Sequence, residues 1–368
     1  MSGIRPFERD DLQQVAALYE LVMRSGSSTP ARGLDSYLER VLFDQPWADP
    51  EIPSLVFVDG GGRILGFQGS SVRRALFDGR PIRIGCCGQL VSHPDARQRA
   101  AGALLLRTYV RGTQDVTITD TASEPMRRIA MVMGMRMLHL GCIEWIRVLR
   151  PSSYARCLLR DRRSDGSPRR RSRARLLLSA VDAGVTRVAP LVAPPASSEA
   201  TAEPLTPATM LEHLSLIGDR VRLRLDYDEP YVGWLFTELE RVTGLGTLVA
   251  RLVREPGGRV LGWYVYYLLA QGSARVLQLA AHDRDVGRVL DNLLRDAWNG
   301  GAAAVQGRLE PRLVEPVASR RCVTIYRGGA LVHSRDKEIV GVLTSPDSLL
   351  TRLDSEWWLQ DRAVDLNR

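Results

Sequence analysis

Between residues 9 and 25, RDDLQQVAALYELVMRS, apolar side chains recur at helical spacing. Leu12, Val15, Leu18, Tyr19 and Val22 share one face, and Asp10 and Asp11 suit the positive end of a helix. Residues 34–43 predict a second, shorter helix. The period then falls to two. SLVFVD (54–59), RILGFQGSSVRRALF (63–77) and PIRIGCCGQLVSH (81–93) read as strands, with GGG (60–62) and DGR (78–80) as the turns between them. HPDARQRAAGALLLR (93–107) opens a helix. DVTITDTA (115–122) is a strand, and SEPMRRIAMVMG (123–134) is a helix stopped by Gly134. MLHLGCIEWIRVL (137–149) reads as the strand that closes this unit.

The second half repeats the order. GGRILGF (61–67) returns as GGRVLGW (257–263). After it come a strand (275–282), a helix (285–298), a strand (302–309), a short helix (310–320) and a strand (322–328). Two related α+β domains are therefore predicted, each a mixed, mostly antiparallel sheet flanked by helices. The first spans 1–150. Residues 151–204, rich in Arg and then in Ala, Pro and Ser, read as a linker that is helical in part and disordered elsewhere. The second, more degenerate copy and its tail occupy 205–368.

Composition adds limits. A chain of 368 residues is long enough for two domains. Its net charge of +8 is concentrated: RDRRSDGSPRRRSRAR (160–175) contributes +6. Without interleaved aromatics this run reads as a solvated loop rather than a nucleic-acid surface, and no specific nucleic-acid partner is expected. Lys337 is the one lysine, a bias that reflects a GC-rich bacterial genome. Five cysteines without a CxxC pair, Cys86 and Cys87 among them, read as packed thiols in a reducing compartment. No signal peptide or spanning apolar run stands out, so a cytoplasmic protein is expected. No metal site is expected, and the oligomeric state stays open.

The stretch at 93–107 carries the chemistry. Two arginines precede Ala100, Ala101, Gly102 and Ala103 at a strand-to-helix junction. Free N–H groups at a helix start attract phosphate, small residues let it approach, and guanidinium groups add charge-assisted bonds. A diphosphate such as that of coenzyme A fits this pattern.

The layout resembles the GNAT (GCN5-related N-acetyltransferase) superfamily, whose phosphate loop reads Q/R-x-x-G-x-G/A. Here Arg97-Gln98-Arg99-Ala100-Ala101-Gly102 matches it, flanked by His93-Pro94-Asp95 and by Leu104-Leu105-Leu106. Alanine for the first loop glycine is compatible with close approach at negative φ. The resemblance implies an acyl-CoA-dependent N-acyltransferase, most simply an acetyltransferase. Its co-substrate would be acetyl-CoA or another acyl-CoA, and its acceptor an amine of a small molecule, a glycan or a peptide. It implies cofactor contacts from Leu90, Val91 and Ser92, from Arg97 through Ala103, and from Ser123, where many members have asparagine. Ala130 stands where the family often has an acidic tyrosine, and Gly88 where it often has a carboxylate. The candidate bases are therefore Glu144, His93 and Asp120. The alternative is a non-catalytic acyl-CoA-binding or scaffold protein. The second copy offers Arg284-Asp285-Val286-Gly287-Arg288-Val289, where the acids oppose phosphate. Two aromatic–acidic segments remain. YDEPYVGWLF (227–236) reads as packing rather than as an acceptor site, and in LDSEWW (353–358) the two tryptophans read as anchors for the tail.

Overall fold

The computed structural model describes residues 3–23, 33–164, 195, 199–218, 221–269 and 272–359. Most of the arginine-rich run and of the predicted linker lies outside them.

The described chain forms two compact units. One comprises residues 1–142, 207–244 and 327–368, the other 143–206 and 245–326. Neither is a continuous stretch, so the boundaries differ from the expected 1–150 and 205–368. The route of the chain shows why. It begins with β1 (Gly3–Pro6), α1 (Leu12–Met23), α2 (Leu34–Leu42), β2 (Leu55–Val58), β3 (Ile64–Phe77) and β4 (Arg80–Ser92). Next come α3 (Ala101–Val110), β5 (Val116–Thr119), α4 (Glu124–Val132) and the short β6 (Arg136–Met137). The strand predicted over 137–149 then divides. A 3-10 turn at Leu140–Cys142 ends the first unit, and β7 (Ile143–Val148) pairs in the other sheet. Periodicity reveals which face of a strand is buried but not which strand lies beside it, so the expected closing strand goes elsewhere.

After β7 come α5 (Pro151–Ser164) and the edge strand β8 (Thr201–Pro204). The chain returns to the first unit for α6 (Pro207–Glu212), α7 (Ser215–Gly218), β9 (Leu223–Leu225) and α8 (Glu229–Glu240). It completes the second unit with β10 (Thr247–Arg254), β11 (Val260–Leu268), β12 (Ser273–Ala281), α9 (Val286–Asn299), β13 (Ala304–Arg308), α10 (Val314–Ser319) and β14 (Val323–Tyr326). Finally β15 (Leu331–Ser334), α11 (Lys337–Leu343), β16 (Ser348–Leu349) and a buried segment to Leu359 belong to the first unit.

The first sheet runs β1-β2-β3-β4-β5-β15-β6, with β9 on the far half of β3 and β16 beside β9. The second runs β14-β7-β13-β12-β11-β10-β8. In the first, β15 lies between β5 and β6; in the second, β7 lies between β13 and β14. The two halves of the chain have exchanged strands.

Strand β3 is buried along nearly its whole length because both faces of the first sheet are covered. On one face Ala101, Leu105, Leu106 and Tyr109 of α3 pack against Leu55, Phe57, Leu65, Val72 and Cys87. α1 and α2 also pack on β3. Within this unit Trp47 stacks flat on Tyr231 of α8, ring centroids 3.5 Å apart, and donates its N–H to Asp228, the N-cap of that helix. YDEPYVGWLF is thus a helix start whose aromatics pack inside the unit.

Candidate active site

The site begins with a fault in the pairing of β3 and β4. From Phe77↔Arg80 to Gly69↔Gly88 the strands run in step. They resume at Phe67↔Val91, so Gln89 and Leu90 together face Gln68. This is a β-bulge. Gln89 takes a left-handed conformation, φ 54°. The buried Gln68 amide holds the fault in place, donating to the carbonyls of Gly88 (2.7 Å) and Gly69 (2.9 Å). A Cβ on Gly69 would lie 2.8 Å from Gln89 Oε1 and 3.2 Å from the Gly88 carbonyl oxygen, so glycine eases the close approach here.

On its other side β4 runs parallel to β5 for only three pairs, Ile84↔Val116 to Cys86↔Ile118. Beyond them β4 continues to Ser92 and, among the described residues, no strand pairs with that edge. The two strands therefore splay past Cys86 and Ile118.

Past Ser92 the chain turns sharply. The His93 N–H bonds the Leu65 carbonyl at 2.8 Å, and Pro94–Arg99 form a 3-10 helix. The backbone of Arg97, Gln98 and Arg99 lies in it; their side chains fall outside the description. Ala100 then adopts φ 52°, ψ 31°, and α3 begins. The expectation of a negative φ at Ala100 fails: the change from 3-10 helix to α-helix is made in one left-handed residue, the conformation that favours glycine. A Cβ on Gly102 would stand 3.0 Å from Ser92 Oγ, and one on Gly66 would lie 2.9 Å from Leu105 Cδ1. Ala101 is buried and Gly102 and Ala103 are half-buried. The start of α3 is thus drawn tightly against β3 and β4.

The sequence-derived residues fall in different places. The His93 ring nitrogens face the Asp95 backbone N–H (3.2 Å) and the Arg63 guanidinium (3.1 Å), which places the ring as a clasp on the turn. Ser123 is the exposed N-cap residue of α4, and Ala130 is buried on that helix. Glu144 lies on β7, opposite Arg308 and Ile325, and so belongs to the second unit rather than to the one with the small-residue loop. Cys86 and Cys87 are buried; burial pushes the Cys86 thiol up to about 12, with Arg73 partly opposing, and holds that of Cys87 well above the ordinary thiol range. Neither is a ready nucleophile.

Asp120, just past β5, belongs to a cluster that the sequence reading did not assemble. Its partner comes from LDSEWW. Glu356 is buried (2% exposed), and its Oε1 accepts from Thr119 Oγ1 (2.6 Å), the Asp120 N–H (2.9 Å) and Thr121 Oγ1 (3.0 Å). Ser355 Oγ donates to Asp120 Oδ2 at 2.7 Å. Burial, reinforced by the like charge of Asp120, raises the Glu356 carboxyl to about 8. Two residues earlier, the Asp354 carbonyl accepts from Arg73 Nε (3.0 Å), and its carboxylate accepts from Tyr227 and from the Thr351 N–H (2.6 Å). Trp358 is buried and Trp357 lies under the Arg352 guanidinium. The sequence signal for Glu356 was an acid directly before two tryptophans.

The second unit has a similar splay. β12 and β13 pair in parallel only over Ser273–Arg275 and Ala304–Gln306, while β12 runs on to Ala281. Its helix start, however, is filled from within. The buried Asp285 accepts from Arg259 (2.7 Å), and Arg288 bridges it to Glu255. A Cβ on Gly287 would meet Arg320 Nη2 at 2.7 Å. A carboxylate already sits at this helix N-terminus.

Two sheets of this kind, each with parallel strands that splay above a helix start, define the class: the chain has the fold of the GCN5-related N-acetyltransferases, in tandem. It is similar to a GCN5-related N-acetyltransferase from Anabaena variabilis ATCC 29413 (TM-score 0.57, 8% identity, covering 92% of this chain and 74% of that one). It is also similar to one from Kribbella flavida (0.55, 15%, 92% and 72%). A third likeness is to the Saccharomyces cerevisiae N-myristoyltransferase solved with bound myristoyl-CoA and inhibitors (0.51, 9%, 90% and 79%). No family model and no curated protein matches the sequence. Among the described residues, no helix is long and apolar enough to cross a membrane, and no group of acids, histidines and cysteines forms a metal site.

Proposed function

We propose that this protein is an acyl-CoA-dependent N-acyltransferase whose first unit holds the thioester. The observation that carries the reading is the β4 edge, freed from β5 past Cys86 and leading directly into the tight start of α3. The diphosphate of coenzyme A would lie at the helix start over Ala100–Ala103, with Arg97 and Arg99 supplying charge and Gln98 and Ser123 further contacts. The pantetheine would add to the free edge as a strand does, near Leu90, Val91 and Ser92. Backbone N–H groups there would polarise the thioester carbonyl, and the acceptor amine attacks it directly. Acetyl-CoA is the simplest donor, and the acceptor is an amine of a sugar, a small metabolite or a peptide. A cytoplasmic location fits these substrates.

A second reading is a non-catalytic acyl-CoA-binding protein. It is favoured by the buried Ala130 and by Gly88 at positions where the family often keeps its acid and base.

Thermal unfolding with acetyl-CoA, longer acyl-CoAs, free CoA and ATP tests the binding. A ligand at about 100 times its dissociation constant adds roughly 2.7 kcal/mol of stability. Coenzyme A species should raise the midpoint, ATP should not, and Gly102→Glu should remove the shift. Thiol release in the presence of amines then separates enzyme from binding protein.

A further inference from the structure

We propose that Glu356 is the general base of the acyl transfer, receiving the proton of the acceptor amine on Oε2. The inference rests on the N-acyltransferase reading above and names the base that neither β4 nor α4 supplies. Three donors at the end of β5 fix one oxygen of this carboxyl: the hydroxyls of Thr119 and Thr121 and the N–H of Asp120. The other oxygen is buried and, among the described residues, has no hydrogen-bond partner. Since β5 ends one residue past its last pair with β4, the carboxyl stands at the mouth of the splay.

The ionisable groups around it keep it basic. Asp120, just past β5, sets a like charge beside it. Cys86 and Cys87 on β4 and Tyr109 on α3 are neutral, each with its proton held by burial. Arg73 on β3 is turned to the Asp354 carbonyl, Ser71 and Val72 instead. Burial, with the like charge of Asp120, outweighs the donors on Oε1 and lifts its affinity for a proton above that of an exposed glutamate. That is the match to working pH that a general base needs.

The step balances. The amine nitrogen attacks the thioester carbonyl carbon and forms the C–N bond while Glu356 takes one N–H proton. The C–S bond breaks with its electron pair on sulfur, and Glu356 returns the proton to the departing thiolate. The carboxylate ends as it began.

The test measures thiol release from acetyl-CoA across a panel of amines, as a function of pH, in wild type, Glu356→Gln and Asp120→Asn. Glutamine keeps an acceptor for the three donors, so the melting temperature and the acetyl-CoA-induced shift should hold. Turnover should fall on the order of 100-fold or more, with KM for acetyl-CoA unchanged. Wild-type kcat should rise with pH through about 8 as the carboxyl loses its proton, and Glu356→Gln should abolish that rise. Asp120→Asn removes the like charge and should move the rise to lower pH. Turnover and pH profile unaffected by Glu356→Gln overturn this inference and leave the N-acyltransferase reading intact. Absence of turnover in the wild type with every amine overturns both. If Glu356→Gln does not keep the wild-type melting temperature, Asp120→Asn decides alone, and a rise that does not move overturns the assignment.

Discussion

Ala100 is the residue whose chemistry and conformation disagree. A left-handed alanine costs about 1–2 kcal/mol, and this one stands where the helix start must be tight. Ala100→Gly should therefore raise the unfolding free energy by about 1 kcal/mol, read as a higher denaturant midpoint at unchanged slope. The strain was not visible in the sequence. The run of small residues marked the loop, but nothing in an alanine codon reports the sign of φ. Glu356 was hidden for another reason. It meets Asp120 from 236 positions away, and only the fold brings the two together. The sequence did mark Asp120 as a candidate base, and the structure makes it the neighbour that raises Glu356.

At the scale of elements, β4 is defined by its irregularity. The alternating pattern predicted the strands over 54–59, 63–77 and 81–93 to within a residue or two. It could not show the bulge, since inserting Gln89 and Leu90 opposite Gln68 changes the partner rather than the alternation. Gln68 is the part to remove. Gln68→Leu would leave the Gly88 and Gly69 carbonyls buried without donors, and an unmet buried group costs about 1–3 kcal/mol. Calorimetry should show that loss. Crystals of the variant should show β4 back in register, or a water in place of the amide. The helix starts tell a parallel story. The N-terminus of α3 was legible because it is stripped of side chains, and that of α9 was legible as altered because Asp285 is written in the sequence. The arginines that pair with Asp285 come from the turn before β11 (Arg259) and from α9 (Arg288), and no local pattern pairs them.

For the whole molecule the decisive feature is the strand exchange. Repetition of element order made two domains readable, but repetition cannot say that β7 and β15 have traded sheets. Residues 1–164 expressed alone should therefore fail to fold cooperatively. They lack β15, α8 and the segment that covers Arg73 and Cys86, and they leave β5 with an open edge prone to pairing with other chains. Size-exclusion chromatography should show aggregate. Co-expression with residues 199–368 should return a soluble complex with one unfolding transition. The exchange also sets a schedule for synthesis. Ser334 on β15 bonds the carbonyl of Asp115, 219 residues earlier. At about 5–20 residues per second a ribosome needs on the order of tens of seconds to travel between them. For that interval the nascent chain displays the bare side of β5, and neighbouring copies on one message hold the same edge within reach. Codon pace and trigger-factor-like shielding downstream of residue 119, rather than the stability of the finished protein, would then govern how much of it a cell recovers.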